Sequence, residues 1–208
     1  AEIASIEERC AEHGIPRPVT FCYPGCSHNL TTVQVLGERR YQFARRGVRP
    51  EYPDGGEGAR GPAYDPRTDH PLLIPTTGYA GPKWKMEDLK WAVSQAREQK
   101  IAVLCFHGVP ALDHPWVSSR PEDFQSYMDY LKEDGCTVIA MRDLATYVDP
   151  GQGPAIESTV PRKHGGKTHG SIRDPDLGAE TREEIPERRG MIAKLQFQLV
   201  MLVALCTL

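Results

Sequence analysis

Residues 101–110 read IAVLCFHGVP, and this stretch decides the fold. An apolar run leads into a His-Gly-Val-Pro turn, which predicts a buried strand that delivers His107 to the end of a sheet. Catalytic groups collect at such strand ends, because the strand aims the side chain and the following loop leaves room for substrate. An imidazole that titrates near neutral pH suits general acid chemistry. His107 is therefore the first candidate catalytic residue, and a structural histidine held in a turn is the alternative.

Helix and strand patterns alternate on both sides of this strand. Residues 84–99 carry the clearest apolar stripe of a helix, and a second helix is expected from Ser119 and Pro121 to about residue 132. The other expected elements are a helix over 1–13, a strand over 18–24, a helix from Asn29 to about 37, and strands over 41–45 and 137–141, with a short helix over 142–147. This alternation indicates parallel strands joined by right-handed crossovers, hence an α/β barrel or a doubly wound sheet.

Three parts of the chain depart from this pattern. Residues 48–82 contain seven Pro and six Gly, which predicts a long functional surface loop without regular structure. Residues 151–190 hold 14 charged residues and no aromatic one, which is typical of a disordered polar linker. Residues 191–208 are apolar at 14 of 18 positions, and we expect a short hydrophobic tail outside the domain formed by 1–150. Its uninterrupted apolar run is shorter than a membrane span, so association with a membrane through this tail is an alternative that we do not favour.

The composition excludes several classes of function. The formal net charge is −3, with 25 basic and 28 acidic residues interspersed, so no basic surface for nucleic acid is expected. The six cysteines do not form the paired spacing of a zinc site or of a disulfide framework. The chain begins without Met and without a signal peptide, from which we expect a fragment of a longer protein whose compartment is unknown.

Three separated motifs resemble the C-terminal half of a known enzyme family. They are FCYPG at 21–25 with FARRG at 43–47, the helix that begins near Trp84, and IAVLCFHGVP followed by His114-Pro115-Trp116 and VIAMRDLATYV. In order and spacing, residues 1–148 resemble polysaccharide deacetylases of the NodB-homology type, carbohydrate esterase family 4. The chain is most similar to a divergent branch of that family, because it lacks parts of the common pattern.

The resemblance implies a fold and a chemistry. The fold would be an incomplete distorted (β/α) barrel of the glycoside hydrolase/deacetylase type, lacking its first β/α units. The family removes acetyl groups from carbohydrates with one divalent metal, commonly zinc, held by an Asp and two His, while a second Asp serves as base. His107 matches the late histidine that protonates the leaving group. Family members act in the bacterial cell envelope or the cytoplasm.

The sequence departs from the family at two places. Many members have an Arg two residues before the motif's Pro, where this chain has Cys22, and a thiol cannot replace the bidentate contact of a guanidinium. The early Asp-Asp and His-x-x-x-His motifs have no counterpart either, since no two Asp are adjacent and no two His are four apart. We therefore expect no metal ligands in this chain, and a metal only in a longer parent protein.

The resemblance also suggests residues that contact substrate. Tyr23 and Pro24 would form a wall of the groove, and His28 lies next to that turn. Leu104 and Phe106 would line the acetyl pocket beside His107. Trp84 and Trp116 are candidates for stacking on a sugar ring, with a core position an equal alternative for Trp84.

Three functions follow from these observations. The first is a deacetylase-like hydrolase fragment, acting in the full-length parent on carbon–nitrogen bonds of acetylated amino-sugar polymers and inactive alone. The second is an allantoinase-like ureide hydrolase. The third is a non-catalytic carbohydrate-binding relic, which the missing metal ligands permit.

Overall fold

The computed structural model describes residues 2–47 and 60–155, together with the backbone of residues 200–205. The described residues form a mixed α/β fold, which confirms the fold class expected from the sequence at this level. The helices are α1 (Glu2–Glu12), α2 (Leu30–Glu38), α3 (Met86–Ser94) and α4 (Pro121–Glu133). The strands are β1 (Thr20–Cys22), β2 (Phe43–Arg45), β3 (Gly78–Ala80), β4 (Ala102–Phe106), β5 (Thr137–Ala140) and β6 (Val200–Leu205). Short 3-10 helices cover Pro24–Cys26, Pro71–Leu73, Pro115–Val117, Met141–Thr146 and Pro150–Gln152.

The first four strands follow one another in space as they do along the chain. β1 pairs with β2 and β3 pairs with β4, both in parallel. Residues 74–77 connect the two pairs, because Ile74 forms a parallel bridge with Arg45 and the Thr77 amide donates to the Val103 carbonyl at 2.8 Å. Within the described residues these strands do not close into a barrel.

β6 is a strand that the sequence did not lead us to expect. It lies between β4 and β5, antiparallel to both, with Leu202 opposite Leu104 on one side and Ala140 on the other. The expectation of a tail outside the domain is therefore wrong for the backbone of residues 200–205. A short, uninterrupted apolar run suits a strand with a hydrogen-bonded neighbour on each side. The rest of the tail, residues 156–190 of the predicted linker and residues 48–59 of the predicted loop lie outside the described residues.

Alternate residues of β4 face two different layers, as the two-residue period of a strand requires. Leu104 and Phe106 pack against α3 and α4, whereas Val103 packs with Phe43 and Ile74 on the other side. The same alternation in β2 directs Ala44 towards α2. The helices α2, α3 and α4 therefore cover one face of the strands, which we call the helix face, and leave the opposite face to other contacts.

The local signals explain most of the element boundaries. The side chain of Asn29 accepts from the Thr32 amide at 2.9 Å and so caps α2, as predicted, with Val33 and Leu36 buried. The third helix is shorter than predicted and ends at Ser94; Glu98 and Gln99, which the prediction placed in the helix, have left-handed φ values of 55° and 68°. The prediction of no regular structure over 48–82 is wrong at residues 78–80, where β3 forms although glycine and proline surround it.

Candidate functional site

Several polar side chains meet at the carboxyl ends of β1 to β4. Phe21, Ala44 and Ala80 belong to the apolar clusters of the helix face. By the alternation of a strand, Cys22, Arg45 and Tyr79 therefore point to the opposite face. Cys105 and His107 share that face with Val103. We call these five residues, Cys22, Arg45, Tyr79, Cys105 and His107, the strand-end cluster.

His107 directly follows β4 and is half-buried. Its Nε2 is hydrogen-bonded to the hydroxyl of Tyr79, and the two rings meet edge to face with centroids 5.1 Å apart. Burial lowers the pKa of the His107 imidazole below its usual value, and the nearby charges of Arg45 and His114 act in the same direction. Burial raises the pKa of the Tyr79 phenol well above its ordinary range. The pair can therefore hold and pass a proton at one defined nitrogen.

Arg45 brings a buried guanidinium to the cluster. Its side chain is 3 % exposed; Nη1 donates to the Thr76 hydroxyl at 2.8 Å and Nη2 to the Cys22 sulfur at 2.6 Å. Many polysaccharide deacetylases have an Arg at the position of Cys22. In this chain, the guanidinium of Arg45, on the neighbouring strand, lies beside Cys22. The sequence did not identify Arg45 or Tyr79 as site residues. The available signal for Arg45 was a charged residue at the end of an otherwise apolar strand, FAR.

The turn after β1 is mostly exposed, and Tyr23 is its buried residue. Tyr23 is 2 % exposed, and its hydroxyl donates to the Leu72 carbonyl at 2.8 Å. Pro24 is exposed and His28 half-buried, with the His28 ring centroid 5.2 Å from that of Tyr23. Of the residues suggested to contact substrate here, Pro24 and His28 therefore have surface that a ligand can reach. Tyr23 is buried and packs against His28.

Leu104, Phe106 and Trp84 lie on the helix face, away from His107. Leu104 and Phe106 are fully buried, and Trp84 is 3 % exposed and packs edge to face on Phe106 with centroids 6.0 Å apart. The expectation that Leu104 and Phe106 line a pocket with His107 is corrected by the strand period, because residues at odd separations point to opposite faces. Trp84 takes the core position that was its alternative.

The loop after His107 presents apolar side chains to solvent. Trp116 is 70 % exposed, and its ring centroid is 5.1 Å from that of His114. Leu112 in the same loop is 84 % exposed. The candidate stacking residue Trp116 is therefore available to a ligand near the strand-end cluster.

The described part of the chain contains no group of three or more His, Cys, Asp or Glu side chains placed to hold a metal ion. No helix within it is long and apolar enough to cross a membrane. A cavity of about 640 Å³ is open at the amino end of β2, beside Tyr41 and His70, at the end of the strands opposite to the strand-end cluster.

Comparisons with known proteins do not identify a relative. No family model matches the sequence, and neither the curated proteins nor the solved structures contain a match. The residues of the site themselves therefore carry any conclusion about function.

Proposed function

We propose that the chain carries the proton-transfer half of a hydrolase similar to polysaccharide deacetylases, in which His107 protonates the amine that leaves an acetylated amino sugar. The observation that carries the proposal is the pairing of His107 with Tyr79 at the carboxyl end of β4. A lowered pKa makes the imidazolium a stronger acid, although a smaller fraction is protonated at neutral pH. Tyr79 would act as a positioning residue that fixes the orientation of the ring.

The winding of the strands supports an incomplete distorted (β/α) barrel as the finer fold. The order of β1 to β4 follows the chain, and the described helices α2 to α4 cover one face. A doubly wound sheet would reverse its strand order and place helices on both faces. In a barrel, the face opposite the helices is the interior, which is the face of the strand-end cluster.

The proposed reaction needs a divalent cation, commonly zinc in the family, and the described residues do not fit one. The cluster offers two thiols, one imidazole and a guanidinium, and these described side chains are not placed to hold a metal ion together. A cation next to Arg45 would also be repelled by its charge. We therefore assign no step of the reaction to a metal ion. The ligands of such an ion would have to come from residues other than those described.

A carbohydrate is the proposed ligand because Trp116 presents an exposed aromatic face in the loop beyond His107. An aromatic plane packs well on the apolar face of a sugar ring, and Pro24 and His28, after β1, also have solvent-accessible surface. The exposed ring of Trp116 also favours a second candidate function, carbohydrate binding without catalysis. Binding alone needs no metal.

Acetate release from chitin oligomers tests the first candidate. The full chain would be assayed with zinc added. In an active form, we expect His107→Gln to lower the rate by about 10²–10⁴-fold, the usual contribution of a general acid. His13→Gln, in the exposed turn after α1, is the matched control and should change the rate little. A full rate with His107→Gln would refute the proposal.

A further inference from the structure

Arg45 is a buried charge that receives no carboxylate from the described residues. Its guanidinium donates to Thr76 Oγ1 and to Cys22 Sγ, and its buried Nε has no hydrogen-bond partner among the described residues. The neighbouring Arg46 differs, because it donates to the carbonyls of Leu73 and Gly47. A guanidinium offers five N–H donors, so a substantial part of the capacity of Arg45 is unused.

An uncompensated charge in this setting is unfavourable. Taking a cation out of water costs far more than two hydrogen bonds return, so buried charges in proteins are generally paired with an ion of opposite sign. Because no described carboxylate pairs with Arg45, a small anion brought next to its guanidinium would offset part of this cost.

The surroundings of Arg45 limit the charge of that anion. Five described side chains interact electrostatically with Arg45. They are the thiols of Cys22, Cys26 and Cys105, the Tyr79 phenol and the His107 imidazole. Cys26 is exposed, and Cys22, Tyr79 and His107 are half-buried, so solvent reaches the edge of the cluster. Because the pKa of His107 is lowered, a smaller fraction of this imidazole carries a second positive charge at neutral pH.

We propose that Arg45 anchors a binding site for a small monocarboxylate, bordered by Cys22, Tyr79 and His107. One negative charge on the ligand matches one guanidinium, and a planar carboxylate matches its two-pronged donor geometry. A phosphate dianion would bring a second charge into the same environment without a cation to meet it. The site goes beyond the proposed function and does not depend on it, because it requires no reaction at His107.

Thermal unfolding of the full chain tests the site with acetate as the probe. At equal ionic strength, acetate at ten times its Kd should raise Tm by about 3–6 °C relative to chloride, and phosphate should raise it less. Arg45→Met should lose the acetate effect while its Tm in chloride stays equal or rises, since the uncompensated charge is gone. Arg67→Met, which removes an exposed arginine paired with Asp65, should keep the acetate effect. Equal shifts for the wild type and Arg45→Met, or no shift in the wild type, would overturn the proposal.

Alkylation of Cys22 provides a second test that needs no variant. Iodoacetate is a small carboxylate and iodoacetamide its neutral counterpart; with either reagent the sulfur displaces iodide, a C–S bond forms and the thiol proton goes to solvent. We expect the iodoacetate-to-iodoacetamide rate ratio at Cys22 to exceed that of N-acetylcysteine amide, a neutral thiol, by about tenfold, because a positive site concentrates the anion. Added acetate should lower this ratio, as followed by peptide mass spectrometry. A ratio equal to that of the free thiol would reject the site.

Discussion

The hydroxyl of Tyr79 and Nε2 of His107 form a hydrogen bond that joins β3 to the first residue after β4. A phenol keeps its proton at neutral pH, the more so because burial raises the pKa of Tyr79, and burial lowers the pKa of His107, which favours the neutral imidazole. Tyr79 therefore donates and Nε2 accepts. The single proton of the neutral ring then lies on Nδ1, which is the nitrogen left for a substrate.

The first prediction concerns this tautomer. ¹⁵N NMR of the histidine side chains at pH 8 should show His107 protonated at Nδ1, with the signal assigned by its loss in His107→Gln. In Tyr79→Phe the Nε2-protonated form should gain population, because Nε2 no longer accepts a hydrogen bond. An Nε2-protonated ring in the wild type would contradict a hydrogen bond donated by Tyr79.

The second prediction is a pH dependence of stability. The pKa of His107 is lower in the folded protein than in the unfolded chain, where it is about 6.5. Below that value the unfolded chain binds more protons than the folded protein, so acid destabilises the fold through this residue. Urea midpoints should therefore fall more for the wild type than for His107→Gln between pH 7.5 and pH 5.5. A larger fall of the urea midpoint in His107→Gln than in the wild type would show that folding raises the pKa of His107.

The third prediction compares two tyrosines. Tyr23→Phe should lower the free energy of unfolding by about 1–3 kcal/mol, because the buried Leu72 carbonyl loses its donor. Tyr147→Phe is the control, since Tyr147 is 53 % exposed, and it should change stability by less than about 0.5 kcal/mol. Urea denaturation measures both. Similar values for the two variants would mean that the Tyr23 hydroxyl contributes nothing specific.

The fourth prediction distinguishes Trp84 from Trp116, which the sequence analysis both names as candidates for stacking on a sugar ring. Trp84→Ala should cost about 3–5 kcal/mol of stability, because its ring fills the core between Phe106 and Tyr127. Trp116→Ala should change stability by less than about 0.5 kcal/mol, because the side chain is largely exposed. If Trp116 binds sugar, the affinity for chitin oligomers should fall in Trp116→Ala, as measured by calorimetry. An unchanged affinity would remove Trp116 from the proposed site.

Patterns that are local in sequence predicted most of the fold. The Asn29 cap, the apolar stripe of α4 and the run that ends at His107 each contain their own structural signal, and the structure follows them. β3 was missed because its three residues begin with Gly78, are followed by Gly81 and gain their strand conformation from pairing with β4; Tyr79 was missed with it.

The candidate site was harder to predict because its members come from four strands. Which side chains share a face depends on strand pairing, so the approach of Arg45 to Cys22 could not be read from either motif alone. The placement of Leu104 and Phe106 is different. Their odd separation from His107 already contains the answer, and the two-residue period would have assigned them to the helix face.

The position of β6 also determines when the sheet can be completed during translation. β4 pairs with a strand about 100 residues further along the chain, a very long sequence separation for neighbours in a sheet. Because a ribosome releases the chain from its N-terminus, the place between β4 and β5 stays empty until residues 200–205 have been translated. A chain that stopped just before residue 200 would keep the residues of every described helix and still deny the sheet the strand that joins β4 to β5.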